Sequence, residues 1–278
     1  MRTGIFAKTF AVTGAGPVLQ AVRDAGYDTA QFNFACLGLP PMPADIPLAL
    51  RHSIAESARA TGVPIAAISG TYNMIHPDLS QRAEGLRRLQ TMIGAAPTIG
   101  TRLVTLCTGT RDPNDQWRHH PDNTTPQAWR DLIAALEPAL VTAEANGVDL
   151  GIEPELANVV SSAELAHRLI TELRSPRLKI VLDPANLFER AEPPEIANIV
   201  ERAIDLLGGH IVMAHAKDRQ ADGSFCAAGM GVIDFAHVVR ALRQANIDCV
   251  LMTHGLSQPQ APGVAAFLRR TIDESMAV

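Results

Sequence analysis

The stretch Asp149-Leu-Gly-Ile-Glu-Pro-Glu155 joins a short apolar run to two acidic side chains. Three later runs repeat the arrangement: each has the length of a strand and is followed by Asp183, by His215 or, after one further residue, by His254. Segments of helical length separate the four runs. In a barrel of parallel strands, the carboxyl ends of all strands open on the same face. The pattern therefore predicts that Glu153 and its three counterparts gather at one mouth of such a barrel.

The whole chain follows the same alternation of strands and helices. Apolar runs predict eight strands, at residues 3–7, 29–34, 64–69, 103–107, 149–152, 178–182, 210–214 and 249–252. Helical spacing and helix-stop residues predict eight helices, at residues 16–25, 46–60, 80–99, 125–146, 161–173, 195–207, 235–246 and 261–272. Eight strand–helix units in 278 residues fit the α/β class and a (β/α)8 TIM barrel that forms a single domain over residues 1–278.

A doubly wound parallel sheet is the main alternative to the barrel. A dinucleotide-binding sheet of this kind would carry a glycine-rich turn, G-x-G-x-x-G, after its first strand. Gly14-Ala-Gly16 follows the first predicted strand at a distance, but the third glycine is missing. The sequence therefore favours the barrel.

The composition is that of a folded, acidic protein. Hydrophobic residues make up 47% of the chain and charged residues 19%, which favours a sizeable core over disorder. The formal net charge of -5 and the absence of a basic stripe argue against a nucleic-acid partner. The four cysteines form no C-x-x-C pair, which predicts free thiols. Since no apolar run has the length of a signal-peptide core or a membrane span, we expect a cytoplasmic protein without a membrane partner.

Glu153, Asp183, His215 and His254 form a ligand set for one metal ion. Two carboxylates and two imidazoles suit a divalent cation such as Mn, Co, Fe or Zn, with Mg also open, whereas calcium prefers an all-oxygen shell. Each residue also has a simpler explanation: a loop cap for Glu153, a turn for Asp183, and a satisfied core histidine for His215. Their joint position at the ends of four consecutive predicted strands favours the metal site.

Four motifs in the second half of the chain carry a family resemblance. They are Ile-Glu-Pro-Glu at residues 152–155, Val-Leu-Asp-Pro-Ala-Asn at 181–186, His-Ala-Lys-Asp at 215–218 and Gly-x-Gly-x-Ile-Asp-Phe at 229–235. Together with residues 73–78 and 255–257, they resemble the xylose-isomerase-like sugar isomerase/epimerase superfamily. Members are metal-dependent TIM barrels that act on ketoses, sugar phosphates and related keto compounds. The resemblance extends over the whole chain and is specific for the superfamily but not for a substrate.

The resemblance implies roles for individual residues. It assigns metal ligation to three of the strand-end residues, Glu153, Asp183 and His215. The substrate contacts that it implies involve Lys217 and His76. Glu155 and Asn186, which stand in two of the four motifs, are further candidates for substrate contact. Barrels of this type often form dimers or tetramers, so a homodimer or homotetramer is expected. A distant branch cuts DNA at abasic sites, but such sites gather more histidines, and the acidic charge of this chain disfavours that activity.

The connection at residues 108–120 is a candidate for substrate specificity. It is the longest one before the next predicted helix, and long loops inside compact domains are usually functional. Its Trp117 could stack on a sugar face, and Arg111 and Arg118 could bind a phosphate or a carboxylate. The alternative is a solvated loop with one anchoring tryptophan.

The last predicted strand departs from the family pattern. Relatives usually have a glutamate there, as fourth ligand and second proton-transfer group, whereas this chain has Met252-Thr-His-Gly255. Glu153 can still remove a proton next to a carbonyl, and His254 is the candidate for the fourth ligand or the second acid–base group. The sequence thus predicts a metal-dependent isomerase or epimerase of a small sugar or sugar derivative.

Two alternatives to this function stay open. Two carboxylates and two neutral histidines leave a divalent ion less neutralised than three carboxylates would, which makes the ion a stronger Lewis acid. That favours a lyase or dehydratase of a keto-sugar or keto-cyclitol as the first alternative. The second is a carbohydrate-binding barrel without catalysis that has lost the last glutamate.

Overall fold

The computed structural model of the protein describes residues 1–275. This part of the chain holds nine strands. They are β1 (Arg2–Phe6), β2 (Thr29–Phe32), β3 (Ile65–Ser69), β4 (Leu103–Leu106), β5 (Asp149–Ile152), β6 (Leu178–Leu182), β7 (Ile211–Arg219), β8 (Phe225–Ala227) and β9 (Val250–Thr253). All except β8 pair in parallel in chain order, and β9 pairs with both β7 and β1. The eight parallel strands therefore close into the predicted TIM barrel.

Helices follow the strands around the outside of the barrel. Within the described residues they are α1 (Ala15–Asp24), α2 (Leu48–Thr61), α3 (Leu79–Ile99), α4 (Pro126–Asn146), α5 (Ala163–Leu173), α6 (Pro193–Leu207), α7 (Phe235–Gln244) and α8 (Ala261–Glu274). The side chains of Asp78, Thr125 and Ser162 accept hydrogen bonds from backbone N–H groups at the starts of α3, α4 and α5. Such caps fix a helix start because the first turn has no internal partner for its N–H groups.

None of the helices in residues 1–275 combines the length and the apolar character that a membrane crossing requires. The four cysteines are free thiols, as predicted. Most predicted bounds lie within two residues of the observed ones, and β5 and β6 agree at both ends.

The connection after β7 differs from the prediction. The seventh strand was expected at residues 210–214, but β7 continues to Arg219 because its last three residues pair antiparallel with β8. The buried Asp218 carboxylate stabilises this hairpin by accepting backbone N–H groups from Arg219, Gly229, Gly231 and Ile233, at 2.8–3.1 Å. A Cβ added at Gly231 would overlap the Arg219 carbonyl, so only glycine fits there. The hairpin brings Phe225 over the barrel mouth.

A small cluster of buried apolar side chains lies among the barrel strands, separate from the main hydrophobic core. The cluster consists of Ala67, Leu103, Val181, Met213 and Met252. Gly4 leaves room for the Met252 side chain, since a Cβ there would lie 2.6 Å from the Met252 Cε atom. The polar residues at the opposite, carboxyl ends of the strands therefore border the mouth rather than a channel through the barrel.

Candidate metal centre

Four side chains from neighbouring strand ends meet at the barrel mouth. Glu153 follows β5, Asp183 follows β6, His215 lies within β7 and His254 follows β9, and one ligand atom of each lies within 4.8 Å of all the others. His215 Nδ1 is 3.2 Å from Glu153 Oε1 and 3.8 Å from Asp183 Oδ2, and His254 Nε2 is 3.2 Å from Asp183 Oδ2. The structure thus brings together all four residues that the sequence predicted as ligands.

The chemistry of this cluster fits a divalent metal ion. His215 is 1% exposed, yet neither of its ring nitrogens makes a hydrogen bond with the described residues. Buried polar atoms normally have a partner, and an ion would supply one. Metal–ligand bonds to nitrogen and oxygen are about 2.0–2.2 Å long, so ligand atoms around one ion lie roughly 3–4 Å apart. The three separations of 3.2–3.8 Å given above agree with this spacing, and all four ligand atoms lie within 4.8 Å of one another.

Buried charges of opposite sign set the protonation of the cluster. Burial raises the pKa of Asp183, but Lys217 Nζ at 3.2 Å and the two histidines outweigh it and hold that pKa well below its usual range. Burial lowers the pKa of His215, but Glu153 and Asp183 raise it to about 9. The carboxylates that attract this proton would equally attract a metal cation. Burial holds the pKa of His254 below its ordinary value, which keeps its imidazole neutral and able to bind metal.

A phenyl ring that the sequence did not single out packs against both imidazoles. The Phe6 ring is stacked on His254, with 4.6 Å between ring centroids and an interplanar angle of 15°. The same ring meets His215 edge-on at 5.4 Å. Phe6 ends β1, which pairs with β9, so only closure of the barrel brings it next to the cluster.

Asn186 and Lys217 lie beside the cluster and are tied to it. The Asn186 amide donates to Glu153 Oε1 at 2.7 Å, and its oxygen accepts from Lys217 Nζ at 2.7 Å. Both side chains are buried. These contacts fix Glu153 and Lys217 relative to each other, as supporting residues do around metal ligands. A direct contact of Asn186 with substrate stays a prediction.

A cavity of about 550 Å³, the central cavity, borders the cluster. Its lining includes Gln31, Trp117, Glu153, Glu155, Lys217, Phe225 and His254. Burial raises the pKa of Glu155 to about 7, so this carboxyl group can be protonated or ionised near neutral pH. Trp117 is 52% exposed and stands at the rim. Of the predicted substrate residues, Glu155, Lys217 and Trp117 therefore border this cavity.

Arg111, Arg118 and His76 do not line the central cavity. The Arg111 guanidinium binds the Asp131 carboxylate on α4 and the carbonyl of Ile75. Arg118 lies 3.3 Å from the Asp112 carboxylate. His76 Nε2 donates to the Pro113 carbonyl at 3.0 Å, and its Nδ1 accepts the backbone N–H of Asp78. These side chains tie the mouth connections together, and a substrate contact for them stays a prediction.

Gln31 is a cavity residue that the sequence analysis missed. It is buried on β2, and its amide nitrogen donates to Ser69 Oγ at 3.0 Å and to Thr105 Oγ1 at 2.9 Å. Its amide oxygen has no partner among the described residues. The sequence carried one indication of this position. Gln31 alternates with Ala30 and Phe32 on the second predicted strand, and a barrel strand turns every second residue towards the interior.

The sequence was also compared with known proteins. A family model described as "xylose isomerase-like TIM barrel" matches residues 19–271. The chain belongs to the xylose isomerase-like TIM barrel family. Since the match covers all but the ends of the chain, the family resemblance seen in the motifs is confirmed. No curated protein matches this member of the xylose isomerase-like family.

Solved structures share the complete fold of this xylose isomerase-like barrel. An L-ribulose 3-epimerase has a TM-score of 0.76 and 21% identity, with 99% of this chain and 96% of that chain covered. The 3-keto-D-glucoside 4-epimerase from E. coli has a TM-score of 0.73 and 15% identity, with 97% and 98% covered. A xylose isomerase-like TIM barrel protein from Mycobacterium smegmatis in complex with magnesium has a TM-score of 0.70 and 15% identity, with 99% and 97% covered.

Proposed function

We propose that this protein is a divalent-metal-dependent isomerase or epimerase of a small sugar or sugar derivative. The observation that carries the proposal is the cluster of Glu153, Asp183, His215 and His254 beside the central cavity. Two solved structures with the same fold are named as sugar epimerases, which supports the same class of reaction. A further structure of this fold contains magnesium, which supports metal dependence.

The four cluster residues would hold one divalent ion, and their donor set suits Mn, Co, Mg, Fe or Zn. When bound, the ion supplies a Lewis acid that polarises a carbonyl or hydroxyl oxygen of the sugar. Lys217 keeps Asp183 ionised through their 3.2 Å contact. The neutral imidazole of His254 contributes its Nε2, which already lies within the cluster.

Glu153 is the candidate base for proton removal from the carbon next to the carbonyl. Its Oε1 accepts the Asn186 hydrogen bond, whereas Oε2 has a weaker neighbour, the Cys107 Sγ at 3.8 Å. A carboxylate that is fixed at one oxygen is oriented, and its second oxygen is left to accept a proton. Cys107 also lines the central cavity, so this side of Glu153 faces the region where substrate would lie.

The proton needs a second group to return it in an epimerisation. His254 suits this role less well than metal binding, because its Nε2 lies 3.2 Å from Asp183 inside the cluster. Glu155 borders the same cavity, and its pKa of about 7 lets it give or take a proton near neutral pH. We therefore assign the second proton transfer to Glu155 and the ligand role to His254.

A lyase or dehydratase of a keto-sugar is the second candidate function. The observation that favours it is the presence of two histidines and only two carboxylates in the cluster. Such a set neutralises a divalent ion less than three carboxylates do, which favours loss of a hydroxyl or alkoxy group next to the site of proton removal. Both candidates begin with the same proton abstraction by Glu153.

Solvent-deuterium exchange tests the proposal. The protein is stripped of metal, reloaded with Mn²⁺, and incubated in D2O with a panel of ketoses and keto-glycosides, which are then analysed by NMR and mass spectrometry. We expect deuterium at the carbon next to the carbonyl of at least one sugar. Glu153→Gln should reduce the exchange rate at least 100-fold, because a general base contributes about 10²–10⁴-fold. The exposed Glu137→Gln variant on α4 is the matched control and should retain the rate.

The products separate the candidate functions. A product that has gained deuterium but has lost no water or alcohol supports an isomerase or epimerase. Loss of water or of an alcohol from the sugar selects the lyase. Binding of Mn²⁺ and sugar without exchange in any compound would contradict catalysis and leave a carbohydrate-binding barrel.

A further inference from the structure

A second cavity, the outer groove, adjoins the central cavity. It has a volume of about 580 Å³, and it shares Pro41, Thr71, Gln116 and Trp117 with the central cavity. Small-ligand pockets typically have volumes of about 300–1,000 Å³, so each of the two spaces is large enough for one sugar ring. The shared residues place the two spaces side by side, with Trp117 lining both.

The outer groove lies on the side of the mouth opposite the metal cluster. The cluster residues belong to β5, β6, β7 and β9, whereas the groove is built by the connections after β2, β3 and β4. In the closed barrel these two sets of strands face each other. A molecule that is held at the cluster and also reaches the groove therefore has to extend across the central cavity.

Aromatic and polar side chains together line the outer groove. Trp117 is half-exposed and lines both spaces, and Tyr72 is partly buried, with a buried hydroxyl that has no partner among the described residues. Asn73, Gln81 and Asp115 add polar groups. Flat aromatic faces beside a few hydrogen-bonding groups suit a sugar ring, which has apolar C–H faces and hydroxyls around its edge.

The groove is preorganised by contacts within its own connections. The Asp112 carboxylate accepts the backbone N–H groups of Asn114 and Asp115 at 2.8 and 2.9 Å, and Asp115 accepts that of Trp117 at 2.9 Å. Gly85 on α3 leaves the space that the Tyr72 ring occupies, since a Cβ there would overlap the ring. Fixed side chains lose less conformational entropy when a ligand binds.

We propose that the outer groove is a binding subsite for a second sugar ring, so that the substrate is a glycoside with its keto sugar at the metal cluster. The inference rests on the proposed function, because the cluster has to hold the first ring. Trp117 then contacts both rings, and Tyr72 and Gln81 contact only the second.

Binding of matched sugars tests the subsite. Mn²⁺-loaded protein is titrated with D-fructose and with three disaccharides in which glucose is joined to fructose, isomaltulose, maltulose and turanose, and contacts are mapped by saturation-transfer NMR. At least one disaccharide should bind roughly 3–10-fold more tightly than fructose, the worth of one aromatic contact. Its glucosyl protons should receive saturation from the protein.

Gln81→Trp is the decisive variant, because Gln81 is exposed and lines only the outer groove. The added bulk should lower the disaccharide affinity to that of fructose while fructose binding stays unchanged. Val141→Ala, at an exposed position on α4, is the control and should change neither affinity. Fructose binding without any gain for the disaccharides would overturn the subsite and leave the proposed function standing. Failure of every sugar to bind the metal-loaded protein would overturn both.

Discussion

At the scale of single residues, Phe6 is the least obvious contributor to the metal cluster. Its ring supports the imidazoles of His254 and His215 without any polar contact. Phe6→Leu should weaken Mn²⁺ binding roughly 3–10-fold, because aromatic pairs contribute about 0.5–1.5 kcal/mol beyond their buried area. Isothermal titration calorimetry measures the change. Phe6→Tyr keeps the aromatic ring, so its Mn²⁺ affinity should stay close to that of the parent protein. An equal loss of Mn²⁺ affinity in both variants would argue against stacking as the cause.

The ligand residues could be predicted from the sequence because each one follows an apolar run of strand length. Glu153, Asp183 and His254 directly follow their strands, and His215 lies within β7, one residue before its parallel pairing with β9 ends. Local sequence fixes where a strand ends, and barrel geometry then brings Glu153, Asp183, His215 and His254 together. Arg111 shows the opposite case. Its partner Asp131 lies 20 residues further along the chain on α4, and nothing near Arg111 indicates whether it turns towards α4 or towards the cavity.

At the scale of elements, α3 contains two glycines with different surroundings. A Cβ at Gly85 would overlap the Tyr72 ring, whereas a Cβ at Gly94 would meet no atom within 4 Å. Gly85→Ala should lower the free energy of unfolding by about 1–3 kcal/mol through overpacking. Gly94→Ala should raise it by up to about 1 kcal/mol, because alanine is the better helix former. Urea unfolding of the two variants checks the pair; a stabilised Gly85→Ala would contradict the packing.

Asp131 on α4 makes the stability of the mouth connections depend on pH. Burial raises the pKa of Asp131, but its bonds with Arg111, Gln127 and Arg82 outweigh burial and hold the pKa below the ordinary value of 3.8. A carboxyl group with a lowered pKa stabilises the fold above that ordinary value and loses the effect as the pH falls towards the folded-state pKa. At neutral pH, Asp131→Asn should therefore cost roughly 1–3 kcal/mol.

The pH profile distinguishes this ion pairing from simple packing. The difference in urea midpoint between the parent and Asp131→Asn should be largest above about pH 5 and shrink below the ordinary pKa of 3.8. Asp205→Asn, at an exposed position on α6, is the control and should show no such trend. A difference that stays constant down to pH 3 would rule out the charge as its source.

Element boundaries were predictable where caps and glycines mark them, as at α3 and α4. The β7–β8 hairpin was not, because its stability comes from the buried Asp218 carboxylate and its four backbone N–H partners. The glycines at residues 223, 229 and 231 are typical of a tight connection, but a glycine pattern alone does not show that a strand continues into it.

At the scale of the whole molecule, the metal cluster joins four strands that lie far apart in the chain. An ion that binds only the folded state should therefore stabilise the entire barrel, by about 2.7 kcal/mol at 100 times its dissociation constant. Removal with EDTA should lower the melting temperature by roughly 5 °C or more. Scanning calorimetry with and without Mn²⁺ measures the shift. Asp183→Asn should abolish it, and a shift that persists in this variant would indicate binding elsewhere.

The closed barrel itself was predictable because each strand–helix unit repeats the same pattern and eight such units fill the chain. The outer groove could not be predicted, because it depends on how the connections after β2, β3 and β4 pack against one another. A homodimer or homotetramer stays a prediction.

The separation of the mouth into two halves has an evolutionary consequence. The ligands of the cluster all follow residue 149, whereas the walls of the outer groove come from residues 40–117. Surface connections accept insertions and substitutions far more readily than packed strands do. If the groove binds a second sugar ring as we propose, mutation in the first half of the gene can change which sugars are recognised while the ligand set in the second half stays the same. Barrels that descend from one ancestor can then differ in the sugars that they bind while they keep the same metal ligands.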